Sequence, residues 1–305
     1  MDVYVVIVTF NGKQWVGPCF SSIYNSTLPL MTIVVDNGST DGTPEMIKKQ
    51  FPNVEIIQSK TNIGFGGANN LGIKKAYHAG ADFIFLLNQD AWLEISTIEK
   101  LISAHKKQPE FDIVSPMHLN AKGSALDYGF SCYISPENCK GLYSDIFVKK
   151  NIDQIYNATF VNAAGWLITR DCISKIGGFN PSFYHYAEDN NYLHRLKYFG
   201  LNLGVYPNCC IFHDREDRPP NMNFENGTEI YKQQLILNIS NPNSELTFFS
   251  ELKYLLKQML VCLITMRFSQ FQRIITKFYS IYNIDKALIL ENKKKSKCIG
   301  LTFLE

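Results

Sequence analysis

Apolar residues in the first third of the chain fall in short, nearly unbroken runs, and each run stops on a polar, ligand-type side chain. Val3 to Phe10 is followed by Asn11 and Gly12, Met31 to Val35 stops at Asp36, and Phe83 to Leu87 gives way to Asn88, Gln89 and Asp90. Runs of this kind read as strands buried on both faces of a parallel sheet. Between them the period changes. Trp15, Cys19, Ile23 and Tyr24 share a helical face, Pro44 to Lys49 opens a second helix after a turn of Gly38, Ser39, Asp41 and Gly42, and Leu71 to Tyr77 marks a third. Strand alternating with helix predicts a parallel sheet with right-handed crossovers, and such sheets bind ligands outside the carboxyl ends of their strands. Asp36 and Asp90 stand at those ends. Each polar ending alone reads equally well as the start of a turn, because Asn and Asp side chains satisfy nearby backbone groups.

Farther on, Tyr192, Leu196 and Phe199 form a helical stripe behind the acidic pair Glu188 and Asp189. In the tail, Phe271, Ile274, Ile275 and Phe278 form another, with Arg267, Arg273 and Lys277 among or beside them. Charge is uneven: residues 253–305 carry ten Lys or Arg against Asp285, Glu291 and Glu305, whereas the preceding residues hold 20 basic and 25 acidic groups. Between Lys257 and Arg267 nine residues are uncharged, and a spanning helix needs roughly 20 mostly apolar residues. The tail is therefore not expected to cross a membrane. A basic amphipathic helix, with Lys293, Lys294, Lys295 and Lys297 as a second cluster, suits peripheral contact with an anionic leaflet. It equally suits packing on the catalytic part or on another subunit, as in a homo-oligomer, with solvated lysines. Nucleic acid is not an expected partner, since no binding module is present and the basic cluster lacks interleaved aromatics.

The 305 residues accommodate one large α/β domain, or a catalytic domain with a helical extension. No charged start and apolar h-region precede the first strand, so a cytoplasmic protein is expected. The eight cysteines form no CxxC pair, and buried reduced thiols are the expectation.

The ordered segments VIVTFNG, VVDNGSTDGT, NIGFGGANNLGI, FLLNQDAWL, GWLITR and YAEDNNYLHR, over roughly residues 3–215, resemble glycosyltransferase family 2. The chain looks most like its rhamnosyltransferase-type members, which decorate bacterial surface polysaccharides and often carry an Asn before the second acidic position. The resemblance implies an α/β GT-A fold: a Rossmann-like, mostly parallel sheet flanked by helices. Residues 1–215 would form the catalytic domain, with a donor half of about 1–115 and an acceptor half of about 116–215. Residues 216–305 would form a basic, mainly helical C-terminal extension. Residues 116–160 match no motif and are expected to be the variable, acceptor-facing part.

The implied reaction moves a sugar from a nucleotide-diphosphate donor to a saccharide or lipid-linked saccharide, inverting the anomeric centre in a single displacement. Charge growing on the diphosphate must be neutralised by a divalent metal or by cations. Asp90 supplies an oxygen ligand of the kind Mg²⁺ or Mn²⁺ selects. Asn88 occupies the first position of the family's acidic pair, which removes a charge and leaves metal dependence open. His213, in CCIFHDRE, is placed by the resemblance as a second metal ligand; an isolated His after a strand is more often structural. Asp36, Thr9 and Asn11 would contact the base or ribose. A carboxylate accepts the imide hydrogen of uracil or thymine, which favours UDP or dTDP donors; Asp36 also reads as a turn cap.

Asn62, Gly64 and Asn70 belong to a Gly-rich loop assigned to the donor. Its G-x-G-G run does not directly follow the first strand, unlike a dinucleotide fingerprint. Asp189 is the candidate general base for the acceptor hydroxyl, with Glu188 orienting the acceptor or tuning its neighbour. Gly165 and Trp166 would border the acceptor, although Trp166 reads equally as core. Arg195, one turn beyond Asn191, is placed near a carboxylate or the diphosphate. dTDP-rhamnose leads as donor, with UDP-galactose or a UDP-N-acetylhexosamine behind it. The competing classes are a degenerate nucleotide-sugar or glycan binding protein and, further off, a nucleotidyltransferase.

Overall fold

The computed structural model describes residues 1–215 and 227–305. Its first half runs β1 (Val3–Thr9), α1 (Val16–Tyr24), β2 (Met31–Asp36), α2 (Thr43–Gln50), β3 (Glu55–Gln58), α3 (Phe65–His78) and β4 (Phe83–Asn88). β1 pairs in parallel with β2 and β4, as the alternating pattern predicts, and β2 also pairs in parallel with β3, a short half-buried strand the sequence pattern did not mark. Register sets Thr9 beside Asp36 and Val8 beside Asn88, so the polar endings of the three runs share one edge. Val5 and Ile7 enter one core and Val6 the other. Side chains alternate across a strand, so β1 is buried on both faces, which is why its sequence is apolar throughout.

Two helices differ from the sequence expectation. A 3-10 turn at Lys13–Trp15 precedes α1, whose buried stripe is Val16, Cys19, Phe20 and Ile23, leaving Tyr24 exposed. α3 begins at Phe65, one and a half turns before Leu71, and includes Gly66 and Gly67. Poor glycine helix propensity hides that first turn. Gly66 is there for space: a Cβ would lie 3.0 Å from the Phe179 Cβ.

The chain continues through β5 (Ala91–Leu93), α4 (Thr97–Lys107), β6 (Ile113–Asn120), α5 (Tyr128–Tyr133), α6 (Leu142–Phe147), β7 (Tyr156–Asn157), β8 (Gly165–Thr169), α7 (Arg170–Ile176), α8 (Glu188–Tyr198) and β9 (Leu203–His213). Among the described residues the sheet order is β3-β2-β1-β4-β8-β6-β9-β5, with β7 on β9. β8 runs antiparallel to β4 and β6, and β5 antiparallel to β9, so the sheet is mostly parallel on one side and mixed on the other.

Helices α9 (Gly227–Ser240), α10 (Phe248–Ile264), α11 (Phe268–Tyr282) and α12 (Lys286–Lys295) follow. Residues 227–298 form one compact unit, and residues 1–215 with 299–305 form the other. Residues 216–226, where the extension was expected to start, lie outside the described residues. The helical unit has its own core, including Leu235, Ile239, Leu255 and Ile281, and Ile274 and Phe278 of α11 pack on it. This part of the tail's amphipathic stripe thus faces protein. Among the described residues no helix is long and apolar enough to cross a membrane. Five of the eight cysteines are buried, while Cys132 and Cys298 are exposed.

Candidate active site

The turn after β4 carries Asp90, and β5 then pairs back along the end of β9. Ala91 lies opposite His213 in that ladder, which brings His213 Nε2 within 3.4 Å of Asp90 Oδ1. Both side chains are buried. The Asp214 N–H donates to the Asp90 carbonyl at 2.8 Å, and the Trp15 indole N–H donates to the Asp214 carboxylate at 2.8 Å. On the other side of the imidazole, Nδ1 is 3.5 Å from Asp127 Oδ2. Asp127 caps α5 by accepting from the Phe130 N–H at 2.8 Å, and it receives the Arg215 guanidinium in a two-pronged pair at 2.6 and 2.5 Å. Carboxylates thus face both ring nitrogens of His213, and Nδ1 makes no hydrogen bond among the described residues. His118 sits edge-on to His213 and stacks on Phe130. Burial, then the neighbouring His213 and Arg215, hold His118 well below the usual histidine range.

A cavity of about 330 Å³ opens at the shared strand edge, lined by Phe10, Asn62, Gly64, Asn88, Asp90 and Tyr184 among others. Gln89 locks β1 to β4 here, accepting from the Phe10 N–H at 2.9 Å and donating to the Phe10 carbonyl at 3.1 Å. Asn88 Oδ1 is buried without a hydrogen-bond partner among the described residues. Gly64 has φ +80°, and a Cβ there would lie 2.1 Å from the Tyr184 carbonyl oxygen. Asn62 Oδ1 accepts from Asn37 and from the Gly64 N–H, each at 2.9 Å. A larger cavity, about 560 Å³, lies by Met31 and Glu55 at the opposite end of the strands, away from every candidate residue.

Thr9, Asn11 and Asp36 support this edge from behind. The Asp36 carboxylate accepts from the Thr9 hydroxyl at 2.9 Å and from the Ser39 hydroxyl and N–H at 2.6 and 3.0 Å, while Asn11 Oδ1 accepts from the Thr40 N–H at 2.9 Å. The capping role of Asp36 is thus occupied by the turn that follows β2.

Three side chains lie elsewhere than the sequence placed them. The Asn70 amide accepts from the Phe179 N–H at 2.6 Å and donates to the carbonyls of Phe179 and Phe303, so it ties the last residues of the chain to this unit. Trp166 is 0% exposed and stacks on Phe179, and Gly165 is buried where a Cβ would lie 2.7 Å from Ile211 Cδ1. β8 is a central strand, and both residues are buried in it. Arg195 is also fully buried, donating to the carbonyls of Ile176 and Gly178 at the end of α7 and lying under the Phe303 ring.

Glu188 and Asp189 open α8 behind two left-handed residues, Tyr186 (φ 66°) and Ala187 (φ 69°). Such conformations cost on the order of 1–3 kcal/mol each without glycine, so the surrounding packing must hold this turn. Asp189 accepts from the Asn190 N–H at 2.8 Å and from the Ala163 N–H. Burial pushes its carboxyl up to about 6, against these hydrogen bonds and the nearby Arg215 charge. Burial first, and then the charge of Asp189, hold Glu188 far above the ordinary carboxylate range. Glu188 Oε2 has no hydrogen-bond partner among the described residues. Arg215 also bonds Tyr133, so one polar chain runs Asp90, His213, Asp127, Arg215 and on to the neighbourhood of Asp189.

Asp127, Tyr133 and Arg215 were not singled out in the sequence. Arg215 alone carried a signal, as a cation two residues beyond the candidate His. Asp90 and His213 are one carboxylate and one imidazole side by side. No cluster of three or more metal-ligating side chains forms among the described residues. Metal sites of phosphate-transferring enzymes often use one or two protein ligands and take the rest from phosphate and water. The pair fits such an ion.

Residues 4–175 match the sequence profile of Glycosyl transferase family 2. The chain is 24% identical over 232 residues to an N-acetylglucosaminyl-diphospho-decaprenol L-rhamnosyltransferase of Mycobacterium tuberculosis, covering 69% of this chain and 75% of that protein. Among solved structures it is similar to S. aureus TarS 1-349 in complex with UDP, with a TM-score of 0.55 and 14% identity over 97% of this chain and 90% of that one. It spans 41% of a longer TarS chain. It is also similar to GalNAc-T7 with UDP, GalNAc and Mn²⁺, with a TM-score of 0.56 and 15% identity over 83% of this chain and 54% of that one. The fold is GT-A, as its structural neighbours have.

Proposed function

The chain belongs to glycosyl transferase family 2, and from that membership we propose that it transfers a sugar from a UDP- or dTDP-linked donor to a saccharide or lipid-linked saccharide with inversion. dTDP-rhamnose is the leading donor, supported by the likeness to the mycobacterial rhamnosyltransferase, whose acceptor is lipid-linked by name. The two neighbours with UDP support the alternative donor class. Residues up to about 115 hold the donor and about 116–215 the acceptor, at the inner face of a membrane. A single observation supports the reading: the polar chain from Asp90 through His213 and Asp127 ends on Arg215, whose charge acts on Asp189 of the acidic pair.

Asp90 and His213 would hold Mn²⁺ or Mg²⁺, which supplies neutralising charge for the diphosphate leaving group. Arg215 adds a fixed cation beside them. Asn88 offers its unpaired oxygen to a ribose hydroxyl or a water. Asp189, ionised, takes the proton of the acceptor hydroxyl, and neutral Glu188 donates a hydrogen bond that orients the sugar. The test is a thermal-shift panel of UDP-, dTDP- and GDP-sugars with Mn²⁺, Mg²⁺ or chelator, on wild type and Asp90→Ala. A ligand at about 100 times its dissociation constant adds roughly 2.7 kcal/mol. A metal-dependent shift with one donor class, weakened in Asp90→Ala and followed by transfer to acceptor, is expected. Binding without turnover would favour the degenerate binding protein.

A further inference from the structure

α10 and α11 form a helical hairpin closed by the turn Thr265–Arg267, in which Met266 takes φ 53°. α10 carries apolar side chains beyond its buried face, beside a polar side that holds Lys253 and Lys257. Phe248, Leu255 and Cys262 are buried against the helical unit, while Leu256, Leu260, Leu263 and Ile264 look outward and are exposed. An exposed apolar flank bordered by cations is the pattern of a helix that lies at an interface, and this flank is uncovered among the described residues. The excess peaks at the turn, where Ile264 is 73%, Met266 76% and Phe268 68% exposed. Apolar side chains this large and contiguous mark an interaction surface rather than ordinary scatter.

Charge identifies what covers it. From Leu252 to Ile284 the chain holds Lys253, Lys257, Arg267, Arg273 and Lys277 and not one Asp or Glu. A protein partner recognised through apolar contact alone would not need a strip cleared of carboxylates. An anionic bilayer surface attracts the cations and accepts the apolar side chains below its headgroups. We propose that the α10–α11 turn is a membrane-docking hairpin that inserts Leu260, Leu263, Ile264, Met266 and Phe268 into the interface of an anionic leaflet, with Lys257, Arg267 and Arg273 at headgroup level. This deepens the proposed function, on which it rests for the membrane-proximal acceptor. It differs from the sequence expectation, since Ile274 and Phe278 of the α11 stripe pack inward and the lipid-facing residues are those of α10 and the turn.

The test is co-sedimentation of the full chain with phosphatidylcholine vesicles and with vesicles holding about a third phosphatidylglycerol. Wild type, Ile264→Ser with Phe268→Ser, and Arg267→Glu with Arg273→Glu are compared, with circular dichroism melts to confirm folding. Wild type should bind the anionic vesicles and release with salt. The apolar variant should lose most binding, and the charge variant roughly 25-fold or more, at about fivefold per cation removed. All three should keep the donor-induced thermal shift, so a failed donor assay and a failed docking assay are separate results. Wild type that ignores anionic vesicles, variants that bind like wild type, or sedimentation equilibrium in which only wild type self-associates would each overturn the docking assignment, the last in favour of a second copy of the chain.

Discussion

His213 Nε2 and Asp90 Oδ1 lie 3.4 Å apart because Ala91 and His213 are paired residues of one antiparallel ladder. The ladder fixes His213, and the Asp214 N–H to Asp90 carbonyl hydrogen bond ties the Asp90 turn to it, so the two should act as a unit. Asp90→Ala and His213→Ala are each expected to lower transfer by about 100-fold, the scale of losing one electrostatic contact to a developing anion. The double variant should lose little more, since members of one constellation are not additive. Initial rates across a Mn²⁺ titration check this, and a fully additive double variant would separate the two residues.

Asp127 faces the other ring nitrogen at 3.5 Å. Removing an outer partner of a ligating His typically costs about 10–100-fold in metal affinity. Asp127→Asn keeps an oxygen for the α5 cap but loses the charge. The apparent Kd for Mn²⁺ should therefore rise by about that factor, with a smaller fall in kcat once the metal is saturating. An equal loss at all metal concentrations would place Asp127 with the fold instead.

The acidic pair predicts two different pH effects. Asp189 must be ionised to accept a proton, and burial raises its carboxyl, so kcat/KM should fall on the acid side at a pH above the ordinary carboxylate range. Arg215 favours the ionised form, and Arg215→Gln should move that limb to higher pH. Glu188 is raised further, so folding favours its protonated form: its contribution to stability is present below the unfolded value and is lost as pH rises through the raised one. Glu188→Gln should melt with wild type at pH 4 and above it at pH 9. Melting curves at the two pH values, beside a pH–rate profile, test both signs.

The glycine at the cavity rim meets two constraints at once. Gly64→Ala would put a Cβ 2.1 Å from the Tyr184 carbonyl and hold alanine at φ +80°. A loss of roughly 1–3 kcal/mol is expected from the backbone alone, with weaker donor binding because Tyr184 must move. Donor titration at a temperature where the variant is still folded separates the two losses.

Local apolar runs made β1, β2 and β4 legible, because a strand buried on both faces needs an unbroken run; β3, half-buried and only four residues long, carried no such run. Asp90 and His213 were legible as polar residues that end such runs, and it was the family resemblance that brought them together as candidate metal ligands. Asp127 was not, since it reaches the site through the β6–α5 connection and its own neighbours give no pattern. Asn70 and Arg195 misled because an amide or guanidinium reads the same whether it meets a ligand or a backbone carbonyl. The exposed apolar side of the hairpin was hidden by a second stripe, on α11, with better helical periodicity.

Trp166 shows the same ambiguity in its sharpest form. An aromatic residue after a glycine suits the apolar face of a sugar and suits a core equally well. In the structure the ring is fully buried, nearly parallel to Phe179 at 6.3 Å and 5.8 Å from Tyr192. Its indole N–H has no partner among the described residues, so replacing it with an all-carbon ring leaves no acceptor unpaired. Trp166→Phe should therefore fold, with KM for the acceptor unchanged. Trp166→Ala should lose about 3–5 kcal/mol, as large-to-small core substitutions do, and fail through stability rather than recognition. Acceptor KM and denaturant midpoints for the two variants test this; a raised acceptor KM in a stable Trp166→Phe protein would return the indole to the sugar site.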